Sequence, residues 1–317
     1  MVEVIFFALT LVGLALFEIV SSIDNAVINA DVLSTMSKRA RRWFLLWGIL
    51  FAVFVVRGLL PFIIVYSLNP SLGFWGVINA TISGDAAVIG VIEASAPPLL
   101  VGGGVFLIFL FFHWIFMEPK HYGLFGESYI HRKGVWFYAI VSVLLSVIIW
   151  LSIHVNPVMA FGAAMGSTAF FITHGFKQNA EQREKEMLSK DNHMSDWAKI
   201  AYLEVIDTTF SIDGVLGAFA FTLLVPLILI GNGIGAVVVR QITVSNIENV
   251  KKYKYLKNGA MYSVAFLGII MILDAFGAHI PSYISPIVTV GIISYFFLKS
   301  KRELTGEKVR AVTLQRK

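Results

Sequence analysis

The chain contains no cysteine. That excludes disulfide bridges, thiolate metal sites and cysteine nucleophiles, and it leaves the redox compartment open. Charge is scarce too. Only 14% of the residues are Asp, Glu, Lys or Arg, against 57% hydrophobic, and the mean hydropathy is +0.78. A soluble chain of 317 residues cannot enclose that much apolar surface, so the excess faces lipid. The apolar runs are continuous rather than alternating, which excludes a β-barrel and leaves bilayer-spanning helices of about 20 residues. The first run lacks a basic leader segment and carries acids, so it is expected to be a span rather than a cleavable signal.

The hydropathy predicts an all-α polytopic membrane protein with nine spans, at roughly 4–33, 43–68, 97–117, 135–155, 157–175, 199–223, 226–247, 259–277 and 282–299. The expected organisation is a first transmembrane half, 1–175, a charged loop, 176–198, a second half, 199–299, and a basic tail, 300–317. Alternating the loops puts 23 of the 25 Lys and Arg residues on one side, and the remaining two, Arg57 and Arg240, lie within spans. The basic side of a multi-pass protein is the cytoplasmic one. The expectation is therefore an inner (plasma) membrane protein with its N-terminus outside and its C-terminus inside. The net charge of +5 then reflects orientation and contact with anionic lipid, not a nucleic-acid surface. Residues 69–98 are apolar and Gly-rich but hold Asp85 and Glu93, which suits an interfacial or re-entrant segment.

A short internal repeat stands out. The first span reads Glu18-Ile-Val-Ser-Ser-Ile-Asp24-Asn25 and the sixth reads Asp207-Thr-Thr-Phe-Ser-Ile-Asp213-Gly214. Each pairs an acid with an aspartate six positions on, preceded by Ser-Ile. Each is followed by a span rich in small residues that ends in arginine, Gly48 to Arg57 and Gly231 to Arg240. The two motifs lie five spans apart, so their helices run in opposite directions, as in the inverted repeats of secondary transporters.

Charge at bilayer depth is expensive and marks function. Glu18, Asp24, Glu204, Asp207 and Asp213 face only Arg57 and Arg240, which leaves three negative charges over if all are ionised. Protons or bound cations must cover them. Carboxylate, amide and hydroxyl oxygens suit hard divalent ions: Mn²⁺, Mg²⁺ or Ca²⁺. Asp24 and Asp213 are the expected central ligands, with Glu18, Asp207, Asn25 and Glu204 completing or extending the site. Arg57 and Arg240 would compensate charge. Ser22, Ser211 and Asn232 would support it, although a membrane serine more commonly bonds back to its own helix. The glycines after Asp213 are expected to loosen that helix and free carbonyls.

These residues resemble the signatures of the TerC family, integral membrane proteins named for tellurium resistance. The first signature is similar to Glu18-x-x-x-Ser-Ile-Asp24-Asn25, the second to Glu204-x-x-Asp207-x-x-Phe210-x-x-Asp213. Asn232 with Arg240, and Arg57, fit as well. The chain resembles the DUF475 branch more than typical members, and the group lies near the LysE-type transporter superfamily. The resemblance implies export of manganese or a related ion through these acids, with tellurium resistance a historical label. Gly214 departs from it, standing where the family has Ser, and residues 69–98 are longer than expected.

The implied protein is not an enzyme and has no prosthetic group; its partners are the transported ion, the lipid bilayer and, as a coupling ion, the proton. Two other classes were open to the sequence. One is a non-transporting partner of secretion or insertion machinery, or a metal-stress factor, which gives no reason for midplane charge. The other is an intramembrane aspartyl protease, which needs two acids sharing a proton. Five acids with two arginines suit a cation path better. Lone histidines His113, His154 and His174 are expected to be interfacial or hydrogen-bonded rather than metal ligands, Glu118 a solvated edge acid and Asp274 an exit-path acid. Gly102-Gly103-Gly104 lacks the Lys-Ser/Thr of a phosphate loop and is expected to serve helix packing.

Overall fold

The computed structural model describes residues 2–48, 51, 57–68, 73–83, 96–187, 194–245, 250 and 252–315. Among the described residues every regular element is helical. In chain order they are α1 (Val2–Ser21), α2 (Ile23–Ser34), α3 (Lys38–Trp43), a π-helical turn (Phe44–Gly48), α4 (Arg57–Leu68), α5 (Gly73–Ser83), α6 (Ala96–Met117), α7 (Glu127–His131), α8 (Trp136–Val155), α9 (Pro157–Met187), α10 (Asp196–Ala218), α11 (Val225–Ser245), α12 (Leu256–Ala275) and α13 (Ile284–Gln315).

Six described helices, α1, α6, α8, α11, α12 and α13, are long and apolar enough to cross a membrane. The fifth and sixth expected spans fall on α9 and α10, which do not reach that apolarity. α9 continues past its apolar half into the charged stretch ending at Met187, and α10 carries Glu204, Asp207 and Asp213. The second expected span lies partly outside the described residues, at 49–50 and 52–56, as does most of 69–98.

The sequence places the helix ends. Asn156 accepts from Val158 N at 2.9 Å, so a capping Asn followed by Pro157 starts α9 directly after α8. Ser195 caps α10 by accepting from Ala198 N. After α12, Gly277 takes φ +88° and the chain closes with Ala278 N on Leu273 O and Gly277 N on Asp274 O. Asp274 accepts from Ile280 N at 2.6 Å in the same turn, so the expected exit-path acid is tied into a helix stop.

α6 forms the centre of the bundle, with Val101, Val105, Phe106, Leu107 and Trp114 fully buried. It lies against α9 and α12 with backbones nearly touching. A Cβ on Gly102 would stand 2.8 Å from Gly162 O, and one on Gly104 would stand 2.9 Å from Gly268 O. The triple glycine therefore serves packing. Phe106 and Phe109 close edge-on against Phe170 of α9. On the other side α1 packs against α11, α12 and α13.

Candidate ion site

The first acidic motif sits at a helix break. α1 ends at Ser21, α2 begins at Ile23, and Ser22 between them adopts φ −89°, ψ 3°. Asp24 and Asn25 thus occupy the first turn of α2; their side chains, like that of Arg57, lie outside the described residues. Ser22 Oγ donates to Glu18 Oε1 at 2.8 Å and so orients a carboxylate that is only 1% exposed. Ser211 instead bonds back to Asp207 O in its own helix.

Glycines make the room that Glu18 fills. A Cβ on Gly214 of α10 would stand 2.7 Å from Glu18 Oε2. A Cβ on Gly235 of α11 would stand 2.6 Å from Glu18 Cβ and 2.8 Å from Ala15 O. About one turn along each of these helices, Gly217 and Gly231 admit Phe17 and Leu14 in the same way. The glycines after Asp213 were expected to loosen their helix and free carbonyls, but α10 runs unbroken to Ala218, and Gly214 is a berth for a carboxylate from α1. The break occurs at Ser22 instead. Asn232 of α11 is buried, and neither atom of its amide has a hydrogen-bond partner among the described residues.

The second group lies further toward the start of α10. Both carboxylate oxygens of Glu204 are shut off from solvent and lack a hydrogen-bond partner among the described residues. Glu204 Oε1 occupies the space where Gly48, in the π-helical turn, has no side chain. Arg240 is within electrostatic reach of Asp207 and Glu204. Its guanidinium donates to Phe44 O and lies 4.4 Å from the centre of the Phe44 ring.

Asp213 has a partner the sequence did not suggest. Lys177 Nζ of α9 stands 3.4 Å from Asp213 Oδ2. Both line a cavity of about 40 Å³ together with Ser21, Glu118 and Lys257. Glu118 is not the solvated acid expected. Lys257 Nζ lies 2.8 Å from its Oε2 and His113 Nδ1 lies 3.4 Å from its Oε1. Burial alone would raise its pKa, but His113, Lys257 and Lys177 outweigh burial and hold the carboxyl well below the usual range. His113 in turn packs on His174, ring centroids 3.9 Å apart, and His174 is hydrogen-bonded to Gln178 at 3.0 Å, in line with expectation. His154 does sit on an exposed turn, bonded to Trp150 O.

Among the described side chains, the site residues form separate groups and not one cluster. Among the described residues no three His, Asp or Glu side chains converge as a ready-made metal site. Lys177 was assigned by sequence to the loop after α9. The missed signal was periodicity: Phe170, His174 and Lys177 share one helix face, and Phe170 is buried.

A family model described as "Protein of unknown function (DUF475)" matches residues 23–305. The chain belongs to the DUF475 family. The match spans both acidic motifs from Asp24 onward and every residue of the Lys177–Asp213 and Glu118–Lys257 pairs. This DUF475 chain is also 25% identical to the "Uncharacterized membrane protein YceF" of Bacillus subtilis (strain 168), over 57% of the chain and 69% of that protein. No solved structure matches it. The apolar helices and that relative agree that the DUF475 chain is a multi-pass membrane protein.

Proposed function

We propose that the protein moves a hard divalent cation, Mn²⁺ foremost, out of the cell across the inner membrane by alternating access. The observation that carries the reading is Glu204: a carboxylate with both oxygens buried and no hydrogen-bond partner among the described residues, close to Asp207 and to the Arg240 guanidinium. A buried, unpartnered carboxylate calls for a cation or a proton. The helix break at Ser22, two residues before Asp24, is the kind of discontinuity around which transporters bind ions. The resemblance of both acidic motifs to TerC signatures supports the same conclusion.

In this reading Asp24 and Asp213 are the central ligands, and Glu18, Asp207, Asn25 and Glu204 complete or extend the path. Ser22 holds Glu18, and the unsatisfied Asn232 amide is a supporting donor or acceptor. Arg57 and Arg240 discharge the empty site, with protons as counter-ions. The same reading gives nine spans, opposed acidic helices, an outside N-terminus and an inside C-terminus, and assigns no catalytic chemistry. The test is metal accumulation in cells with and without the protein across Mn²⁺, Mg²⁺ and Ca²⁺. Lower accumulation of one ion is expected; identical accumulation of all three would sink the reading.

A further inference from the structure

Lys177 raises a question that the proposed function leaves unanswered. It stands against the carboxylate expected to bind the cation, and its own charge excludes one. The cavity it lines, about 40 Å³, is bordered by the ammonium group itself, so a metal ion binding at Asp213 would meet that charge at close range. The walls carry two carboxylates, Asp213 and Glu118, and two ammonium groups, Lys177 and Lys257. The set is neutral as it stands. A divalent ion arriving at Asp213 would stand against the Lys177 ammonium at contact range unless that ammonium moved off the carboxylate.

We propose that Lys177 is a tethered cation that occupies Asp213 while no metal ion is bound and swings to Glu118 when the ion arrives. The inference rests on the transport reading above and assigns that site its internal competitor.

The geometry suits such a role. The separation of 3.4 Å is looser than the 2.7–2.9 Å or so of a tight charge-assisted bond. Glu118 and Asp213 border the same cavity, and Lys177 is within electrostatic reach of both carboxylates. Lysine is the fitting residue, since its charge rides on a flexible stem, whereas an arginine fork would grip Asp213 in two places. Lys257 and His113 hold Glu118 from its two oxygens and keep it in place as the second berth.

The experiment measures Mn²⁺ affinity of purified protein and Mn²⁺ turnover in proteoliposomes, with Mg²⁺ and Ca²⁺ alongside. The proteins are wild type, Lys177→Met, Lys177→Arg, Glu118→Gln and Asp213→Asn. Lys177→Met is expected to bind Mn²⁺ about tenfold more tightly and to turn over more slowly, because the empty site is no longer discharged. Lys177→Arg and Glu118→Gln are expected to bind more weakly than wild type, since each keeps a cation on Asp213. Unchanged or weaker affinity in a normally folded Lys177→Met overturns the proposal. If that variant does not fold, unchanged affinity in Glu118→Gln overturns it. Binding present in wild type and lost in Asp213→Asn, yet unaltered by Lys177→Met, removes the tethered cation and spares the transport reading. Absence of binding of all three ions by wild type removes both.

Discussion

Glu18 Oε2 lies 2.7 Å from the point where Gly214 would carry a Cβ, so the acid of one motif fills the gap left by a missing side chain in the other. The contact separates two substitutions of similar size. Gly214→Ala meets only the far end of a flexible side chain, so it is expected to lower stability little but to push the Glu18 carboxylate off Ser22. Gly235→Ala meets Glu18 Cβ and the Ala15 carbonyl and must pry α1 from α11, at a cost of about 1–3 kcal/mol. Melting temperatures in detergent should rank wild type near Gly214→Ala and well above Gly235→Ala. Equal losses would show that the glycines act through backbone flexibility rather than space.

Asp24→Asn and Asp213→Asn are each expected to abolish Mn²⁺ transport while leaving expression and melting near wild type. An amide matches the carboxylate in shape but cannot supply charge to a hard ion. Initial rates of Mn²⁺ efflux, normalised to protein in the membrane, decide the matter. Near-normal rates in both variants would remove these aspartates from the site.

Glu118 gives a pH dependence with a definite sign. Its folded pKa is depressed, so its ion pairs contribute stability that is fully present above the unfolded value of 4.5 and is lost as pH falls below that. The gap in melting temperature between wild type and Glu118→Gln is expected to be constant from about pH 8 to about pH 5 and to shrink only in more acid buffer. With both partners partly exposed, the contribution is about 1 kcal/mol. A gap that closes near neutrality would mean that Glu118 is not held ionised.

The absence of any thiol makes sidedness directly measurable. Ser282, between α12 and α13, and Asn179, on the charged half of α9, are both exposed. An impermeant maleimide added to intact cells is expected to label Ser282→Cys and to reach Asn179→Cys only after permeabilisation. The opposite pattern would invert the topology, and labelling of both from outside would mean that the span count is off.

The parts of the fold written in local runs were legible. The expected spans 97–117, 135–155 and 226–247 agree closely with Ala96–Met117, Trp136–Val155 and Val225–Ser245, because an apolar stretch of bilayer length announces itself without tertiary information. The Glu118–Lys257 pair joins two helix ends that charge alternation assigns to one side. The break at Ser22 was not legible, since it has neither Pro nor Gly at the discontinuity. Gly214 was read as a weakness in its own helix because the side chain that needs its space comes from α1. Lys177 was assigned to solvent because its partner lies 36 residues away, beyond any helical period. What escaped in each case was a pairing between distant segments.

The near contact of α6 with α9 has a mechanical consequence. A Cβ on Gly166 would collide with Gly102 O, so at this crossing the two helices meet backbone to backbone with no side chain between the glycines. Such a joint behaves as a weld. With Gly104 set against Gly268, α12 joins the same closely packed block, and in the proposed transport cycle α6, α9 and α12 would form the stator. Any rocking of the bundle then falls to α1, α2, α10 and α11, which carry Glu18, Asp24, Glu204, Asp207, Asp213 and Arg240. Lys177 and Glu118 stand on the fixed block and Asp213 on the moving one, so the ion pair between α9 and α10 lies on the boundary where a stroke would be felt first.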